Sequence, residues 1–302
     1  MRGDGMKNLK AYLAERKALV DKTLEGCFPE PEGPGADVMR AMTYSLFAGG
    51  KRLRPILCMA GAEAVGGIFA DVLPVACSLE LIHTYSLIHD DLPVMDDDDL
   101  RRQKPTNHKV FGEAIALLAG DGLLTEAFNL MTNTELTKRI SPHLVLEVIG
   151  LIAHAAGYRG MVGGQAVDIQ SEGKVVDFSV VEFIHTHKTG ALISASVASG
   201  AILCGADSST LQNITSYGQN IGLAFQISDD ILDIEGDSAI MGKKAGGDEK
   251  KGKITYPEAI GMRRSKEIQS ELIESAIESL RTFGPEAEPL RQIAGYIIER
   301  KK

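Results

Sequence analysis

Two runs of carboxylates, Asp90-Asp91-Leu92-Pro93-Val94-Met95-Asp96 and, far along the chain, Asp229-Asp230-Ile231-Leu232-Asp233, each follow an apolar stretch. Like charges about 4 Å apart repel by roughly 4 kcal/mol at an effective dielectric near 20, so gathering them in a fold calls for cations. Oxygen-only donors suit hard ions, and Mg²⁺ typically takes one or two carboxylates while sharing its remaining shell with water and substrate phosphate. Asp229 and Asp233, four residues apart, share one face of a helix. Asp90 and Asp96 would diverge on a regular helix, but Pro93 should end or kink it and turn Asp96 back toward Asp90. A solvated helix end is the plain alternative for either run alone. Two such runs, each closing a buried helix, favour a pair that holds metal.

Cations accompany the acids. Arg101 and Arg102 follow the first run, where they either neutralise it or fork onto a diphosphate. Gly49-Gly50-Lys51-Arg52-Leu53-Arg54-Pro55 sets three cations on a glycine-led turn without P-loop spacing, which in a chain of net charge −9 suits an anion site. His185-Thr186-His187-Lys188-Thr189-Gly190 and the lysines from Lys243 to Lys253 add more, or are simply solvated basic stretches. His185 and His187 point to different sides of a helix and have no Cys or third His beside them, which disfavours zinc. Gln165 and Asp168 in Gly163-Gly164-Gln165-Ala166-Val167-Asp168 put polar groups into an apolar region, either as a core hydrogen-bond pair or as part of a site. No Ser, Cys and His combine into a nucleophile and base. Metal with Arg and Lys around apolar helices suits a reaction in which diphosphate leaves a hydrocarbon, with the carbocation shielded from water.

The elements that must position these groups read as helices. Helical periodicity covers 6–26, 36–48, 55–65, 72–88, 112–134, 142–157, 179–203, 208–234, 256–262, 265–283 and 285–300, with a Pro/Gly-rich loop over 27–35. The helices over 72–88, 112–134, 179–203 and 208–234 are apolar on most faces, as inside a large bundle. No polar linker divides the chain, so residues 1–302 read as one all-α domain. Three polar loops, 49–55, 96–112 and 234–255, lie on its rim, where function concentrates.

Composition bounds the partners. A hydrophobic fraction of 44% with 24% charged residues is that of a soluble globular protein, and the net charge of −9 argues against a nucleic-acid surface. Apolar stretches are broken before reaching the ~20 residues of a membrane span, and no targeting segment is visible, so a cytoplasmic protein is expected. Cys27, Cys58, Cys77 and Cys204 are widely spaced and read as reduced thiols.

These motifs, with Pro105-Thr106-Asn107-His108-Lys109-Val110-Phe111-Gly112-Glu113, stand in the order of the trans-isoprenyl diphosphate synthases, which the chain resembles over nearly its whole length. The resemblance implies an all-α bundle around a deep central cavity, usually homodimeric, with the two acidic motifs facing at its mouth. It implies that Asp90, Asp96 and Asp229 bind Mg²⁺, supported by Asp91, Asp230 and Asp233. Arg101, Lys188, Thr189, Gln226, Lys243 and Lys253 would hold the allylic diphosphate, and Lys51, Arg54, His83 and Arg102 isopentenyl diphosphate. The implied reaction ionises the allylic C1–O bond, adds the alkene of isopentenyl diphosphate and loses a proton to the departed diphosphate. Tyr85 and Ser86 precede Asp90 on one helix. At 1.5 Å rise per residue, Tyr85 lies about 7.5 Å below the metals, where a ring should stop growth early. An aromatic there resembles the bacterial farnesyl (C15) type, with geranylgeranyl (C20) as runner-up, although an ordinary core tyrosine is the plain alternative. A class I terpene cyclase would carry a different second metal motif and no use for Lys51, Arg54 and His83. A non-catalytic partner subunit would be expected to lack aspartates that are all present.

Overall fold

Helix α4 (Leu73–Asp90) shows how the first acidic run comes to its place. Pro74 opens it where a missing N–H costs nothing. From Val75 to Ile88 it is buried on nearly every side. It stops at Asp90 because Pro93 disfavours helical backbone in the residue before it and cannot donate to the previous turn. The chain then folds back, and the Asp96 amide donates to the Asp90 carbonyl at 2.9 Å.

The computed structural model describes residues 2–235 and 254–299, and within them the fold is all-α. Around α4 stand α1 (Arg2–Cys27), α2 (Ala36–Leu46), α3 (Leu53–Ala64) and α6 (Glu113–Met131). A two-residue hairpin, β1 (Leu100–Arg101) with β2 (Lys104–Pro105), and the short α5 (Asn107–Phe111) lead into α6. The short α7 (Thr134–Thr137), α8 (Pro142–Ala156) and α9 (Met161–Ser171) follow. Then come α10 (Phe178–Ile184), α11 (Ala191–Leu203) and α12 (Ser208–Glu235), which carries the second acidic run in its last turns. The chain resumes with α13 (Tyr256–Ile260), α14 (Met262–Ser279) and α15 (Glu288–Glu299). Helix α11 is buried from Leu192 to Leu203 and packs against α3, α8 and α12, so it forms the axis of the bundle. One large apolar core joins these helices, and a smaller cluster of Val181, Leu223, Ile227, Ile231 and Tyr256 seats α13 behind the second acidic run.

The structure departs from the sequence expectations in several places. The single helix expected over 179–203 contains a π-helical turn, His185–Gly190, between α10 and α11. The break expected between 262 and 265 falls instead at Gly261, whose φ of 85° lies in the left-handed region, so the helix expected over 265–283 runs Met262–Ser279. Helix α9 went unpredicted because Gly163 and Gly164 read as breakers. The expectation that no apolar stretch reaches membrane-span length is also corrected. Glu113–Thr137 and Pro142–Ser171 are long and apolar enough by composition, and only 33% and 39% of their apolar windows are buried. Each is interrupted in the fold, at residues 132–133 and at 157–160. All four cysteines are free thiols, as expected, and Cys58 and Cys77 are buried.

Candidate active site

Helices α4, α6 and α9 and the π-helical turn wall a cavity of about 500 Å³, within the range of small-molecule sites. Its lining brings together Arg54, His83, Tyr85, Ser86, Asp90, Lys188 and Thr189 from among the predicted residues. Its apolar lining includes Leu87, Leu92, Leu117, Met161 and Val162.

The carboxylates divide into two kinds. Asp91 is buried and held by Arg101, whose Nε donates to both carboxylate oxygens at 2.7 and 2.9 Å. Burial, then the charges of Asp98 and Asp96, raise the Asp91 pKa against the pull of Arg101. Burial disfavours the Arg101 charge, but Asp91, Asp98 and Asp90 outweigh it and hold the guanidinium more firmly protonated. In this structure Arg101 thus pairs with Asp91 of the first acidic run. In the second run Asp230 is buried, and its Oδ2 accepts both His185 Nε2–H and the Tyr256 amide at 2.8 Å. Gln226 Nε2 donates to its Oδ1 at 3.3 Å. Asp91 and Asp230 thus accept from protein donors; Asp90 lies in the cavity wall, and Asp229 and Asp233 are half-buried one turn apart on α12.

The basic groups form a complementary half. Burial lowers Arg54 to about 10 despite the nearby Glu80 and Asp229 carboxylates. Burial, together with Arg54, Arg102, Arg101 and Arg52, drives His83 well below its usual pKa, so its imidazole is neutral among guanidiniums. Burial also lowers Arg102, which donates to the Gly49 carbonyl. Gly50, at φ 129°, leaves room for that guanidinium, since a side chain there would begin 2.8 Å from it. Desolvated cations whose charge the fold already disfavours gain most from an entering anion. Lys51 faces away from this cavity, lining a separate apolar pocket with Leu53, Phe225 and Tyr296. Arg52 points into the core and is taken up by Asp21, Glu80 and the Leu46 carbonyl. Lys243 and Lys253 lie outside the described residues.

The π-helical turn explains how Lys188 and Thr189 reach the cavity. Such turns insert a residue into a helix and re-aim its side chains. Lys188 Nζ meets Asp168 Oδ2 at 2.6 Å, and Thr189 Oγ1 donates to Gln226 Oε1 at 3.0 Å, linking the cavity to the second acidic run. Gly164 is what lets α9 approach this turn, since a β-carbon there would overlap the Lys188 backbone. The two histidines diverge as the spacing predicts: His187 stacks on Phe183 at 3.8 Å while His185 turns inward to Asp230.

With this geometry in hand, the polyprenyl synthetase family model matches residues 36–289. The chain belongs to that family. It is a trans-prenyltransferase. A farnesyl diphosphate synthase of Geobacillus stearothermophilus is 48% identical over 97% of this chain and 98% of its own. A geranylgeranyl diphosphate synthase of Cyanophora paradoxa is 47% identical over 97% of each. A solved FPP/GFPP synthase of Zymomonas mobilis superposes with a TM-score of 0.86 at 38% identity, covering 96% of this chain and 99% of its own. The relatives' names agree on prenyl transfer and differ on product length.

Three residues of this candidate site had no assigned role in the sequence. Asp168 is the partner of Lys188, and His185 braces Asp230. Gln165 is buried, lines the cavity and has neither amide atom bonded among the described residues. The Gly163-Gly164-Gln165 motif flagged its position, but only the fold turns that amide inward.

Proposed function

We propose that this prenyltransferase joins isopentenyl diphosphate head-to-tail to dimethylallyl or geranyl diphosphate and releases farnesyl diphosphate, the C15 product. The observation that carries the reading is a single cavity with Asp90, the cations Arg54 and Lys188, the His83 imidazole and the Tyr85 ring in its wall. The donor set fits Mg²⁺. The two runs offer oxygen only, and among the described residues no three His, Cys, Asp or Glu side chains form a closed cage. An ion that completes its shell with substrate phosphate and water needs none. Asp90, Asp96 and Asp229 would hold it, with Asp233 beside them, and when bound it supplies positive charge next to the leaving diphosphate.

Lys188, Thr189 and Gln226 are set to bind the allylic diphosphate, Lys188 exchanging Asp168 for phosphate oxygen. Arg54, Arg102 and neutral His83 are set to bind isopentenyl diphosphate, with Lys51 on the outer side of the same loop. The apolar wall excludes water from the allylic cation. Burial, and after it the Asp90 carboxylate, push the Tyr85 phenol up to about 12, so its ring enters the wall as a neutral group. A homodimer belongs to the same reading. Leu118 of α6 and Leu146 of α8 are exposed large apolar residues on neighbouring helices, which supports a covered face.

Incubating the purified chain with labelled isopentenyl diphosphate, geranyl diphosphate and Mg²⁺ should yield mainly farnesyl diphosphate on chromatography. No prenyl diphosphate would end the enzymatic reading. A C20 main product would end the C15 assignment while leaving prenyl transfer intact.

A further inference from the structure

Helix α6 turns its smallest residues toward α4. Ala116, Ala119 and Gly120 are buried there, one turn from the cavity. Into the gap at Gly120 goes the imidazole of His89, and a β-carbon at that position would overlap the ring. The imidazole is fixed from a second direction, since its Nε2–H donates to the Leu117 carbonyl at 3.0 Å. The Asp121 carboxylate lies 3.9 Å from the same nitrogen. His89 stands one helical turn after Tyr85 on α4, and the two rings meet edge to face, with centroids 5.6 Å apart and planes at 81°. Tyr85, His89 and Leu117 all line the one cavity.

Among the described residues Tyr85 has no side-chain hydrogen bond to hold its χ angles, so its ring is oriented by what packs on it. Ser86, the other wall residue expected to affect length, turns its hydroxyl back to the His83 carbonyl at 2.9 Å and gives the ring no support. From this geometry we infer that His89, seated in the Gly120 notch, is the positioning residue that holds the Tyr85 ring across the cavity, and so helps set product length. The inference rests on the reading of Tyr85 as the cavity floor. Loss of the brace frees the ring to rotate aside and lets the chain grow past it. Helix α6 thereby takes part in specificity through a glycine that never touches the substrate.

The test is product distribution from isopentenyl and geranyl diphosphates, resolved by chromatography for wild type, His89→Ala, Gly120→Ala, Tyr85→Ala and the double variant Tyr85→Ala/His89→Ala. The ratio of longer products to C15 is internal to each reaction, so partial loss of folded enzyme cancels. His89→Ala and Gly120→Ala should each raise that ratio roughly three- to ten-fold, the order expected for losing one aromatic-pair contact. The double variant should give no longer products than Tyr85→Ala alone, because His89 acts only through the ring. If Tyr85→Ala lengthens the product while His89→Ala and Gly120→Ala keep C15, the brace is overturned and the floor survives. Further lengthening in the double variant would make His89 itself a floor and overturn the positioning role. If Tyr85→Ala leaves length unchanged, the floor fails and the brace with it. Should Gly120→Ala not fold, His89→Ala and the double variant still decide the matter.

Discussion

Asp229 and Asp230 are neighbours in sequence with different work to do. The Asp230 carboxylate closes hydrogen bonds from α12 to the π-helical turn and to the start of α13, through His185 and the Tyr256 amide. Replacing it with Ala orphans two buried donors, at about 1–3 kcal/mol each. Asp230→Ala should therefore lower the urea midpoint markedly, whereas Asp229→Ala should abolish turnover with a smaller change in stability. Equal stability losses would contradict this division. His83 gives a pH signature. Its folded pKa lies well below the unfolded value near 6.5, so between those two values the unfolded chain binds more protons. Its contribution to stability is thus complete above pH 6.5 and lost as the pH falls, by at most about 1.4 kcal/mol per unit. Urea midpoints at roughly pH 5.5 and 7.5 should converge in His83→Gln relative to wild type. An unchanged difference would show that His83 is not the group responsible.

At the scale of elements, the basic loop is two devices in one motif. Arg52 adopts a left-handed conformation, φ 52°, and its guanidinium ties α1, the end of α2 and α4 together through Asp21, the Leu46 carbonyl and Glu80. Glu80 and Arg52 are both almost wholly buried, so removing one leaves the other's charge without its partner. Arg52→Ala should cost about 3–5 kcal/mol in denaturant unfolding. A loss within the ordinary surface range would refute the clamp. Which cation of the loop faces inward was not legible in the sequence, because Lys51, Arg52 and Arg54 differ in fate only through the turn that Gly49 and Gly50 impose. The ends of α4 and α12 were legible, since acid, proline and buried apolar stretch coincide there. Helix α9 was not, because its two glycines are penalised locally and rewarded only by the approach to the Lys188 turn. The pairing of Lys188 with Asp168 likewise depends on a π-helical turn whose cause is packing.

For the whole molecule, the all-α class and the large bundle were written in the periodicity of the helices, whereas the cavity within it was implied by the family resemblance. The exposed apolar face of α6 and α8 was not legible, because an apolar helix looks the same in sequence whether its own chain or a second copy covers it. If the proposed homodimer uses this face, Leu146→Glu should shift the chain toward monomer in sedimentation, and an unaltered distribution would rule the face out. The charge pattern is also a property of the whole: a chain of net charge −9 sets Arg54 and Lys188 in the wall of one cavity with Asp90, and Arg101 and Arg102 near His83 in the same wall. The function proposed above places a metal and a diphosphate between these acids and bases. The most direct measurement is calorimetric binding of an unreactive allylic thiolodiphosphate to the full chain, with Mg²⁺ and with chelator. A bound metal typically supplies several kcal/mol at such a site, so affinity should fall roughly 100-fold or more without it, and similarly in Asp90→Asn and Asp229→Asn. Equal affinity with and without Mg²⁺, or in wild type and both variants, would contradict the account.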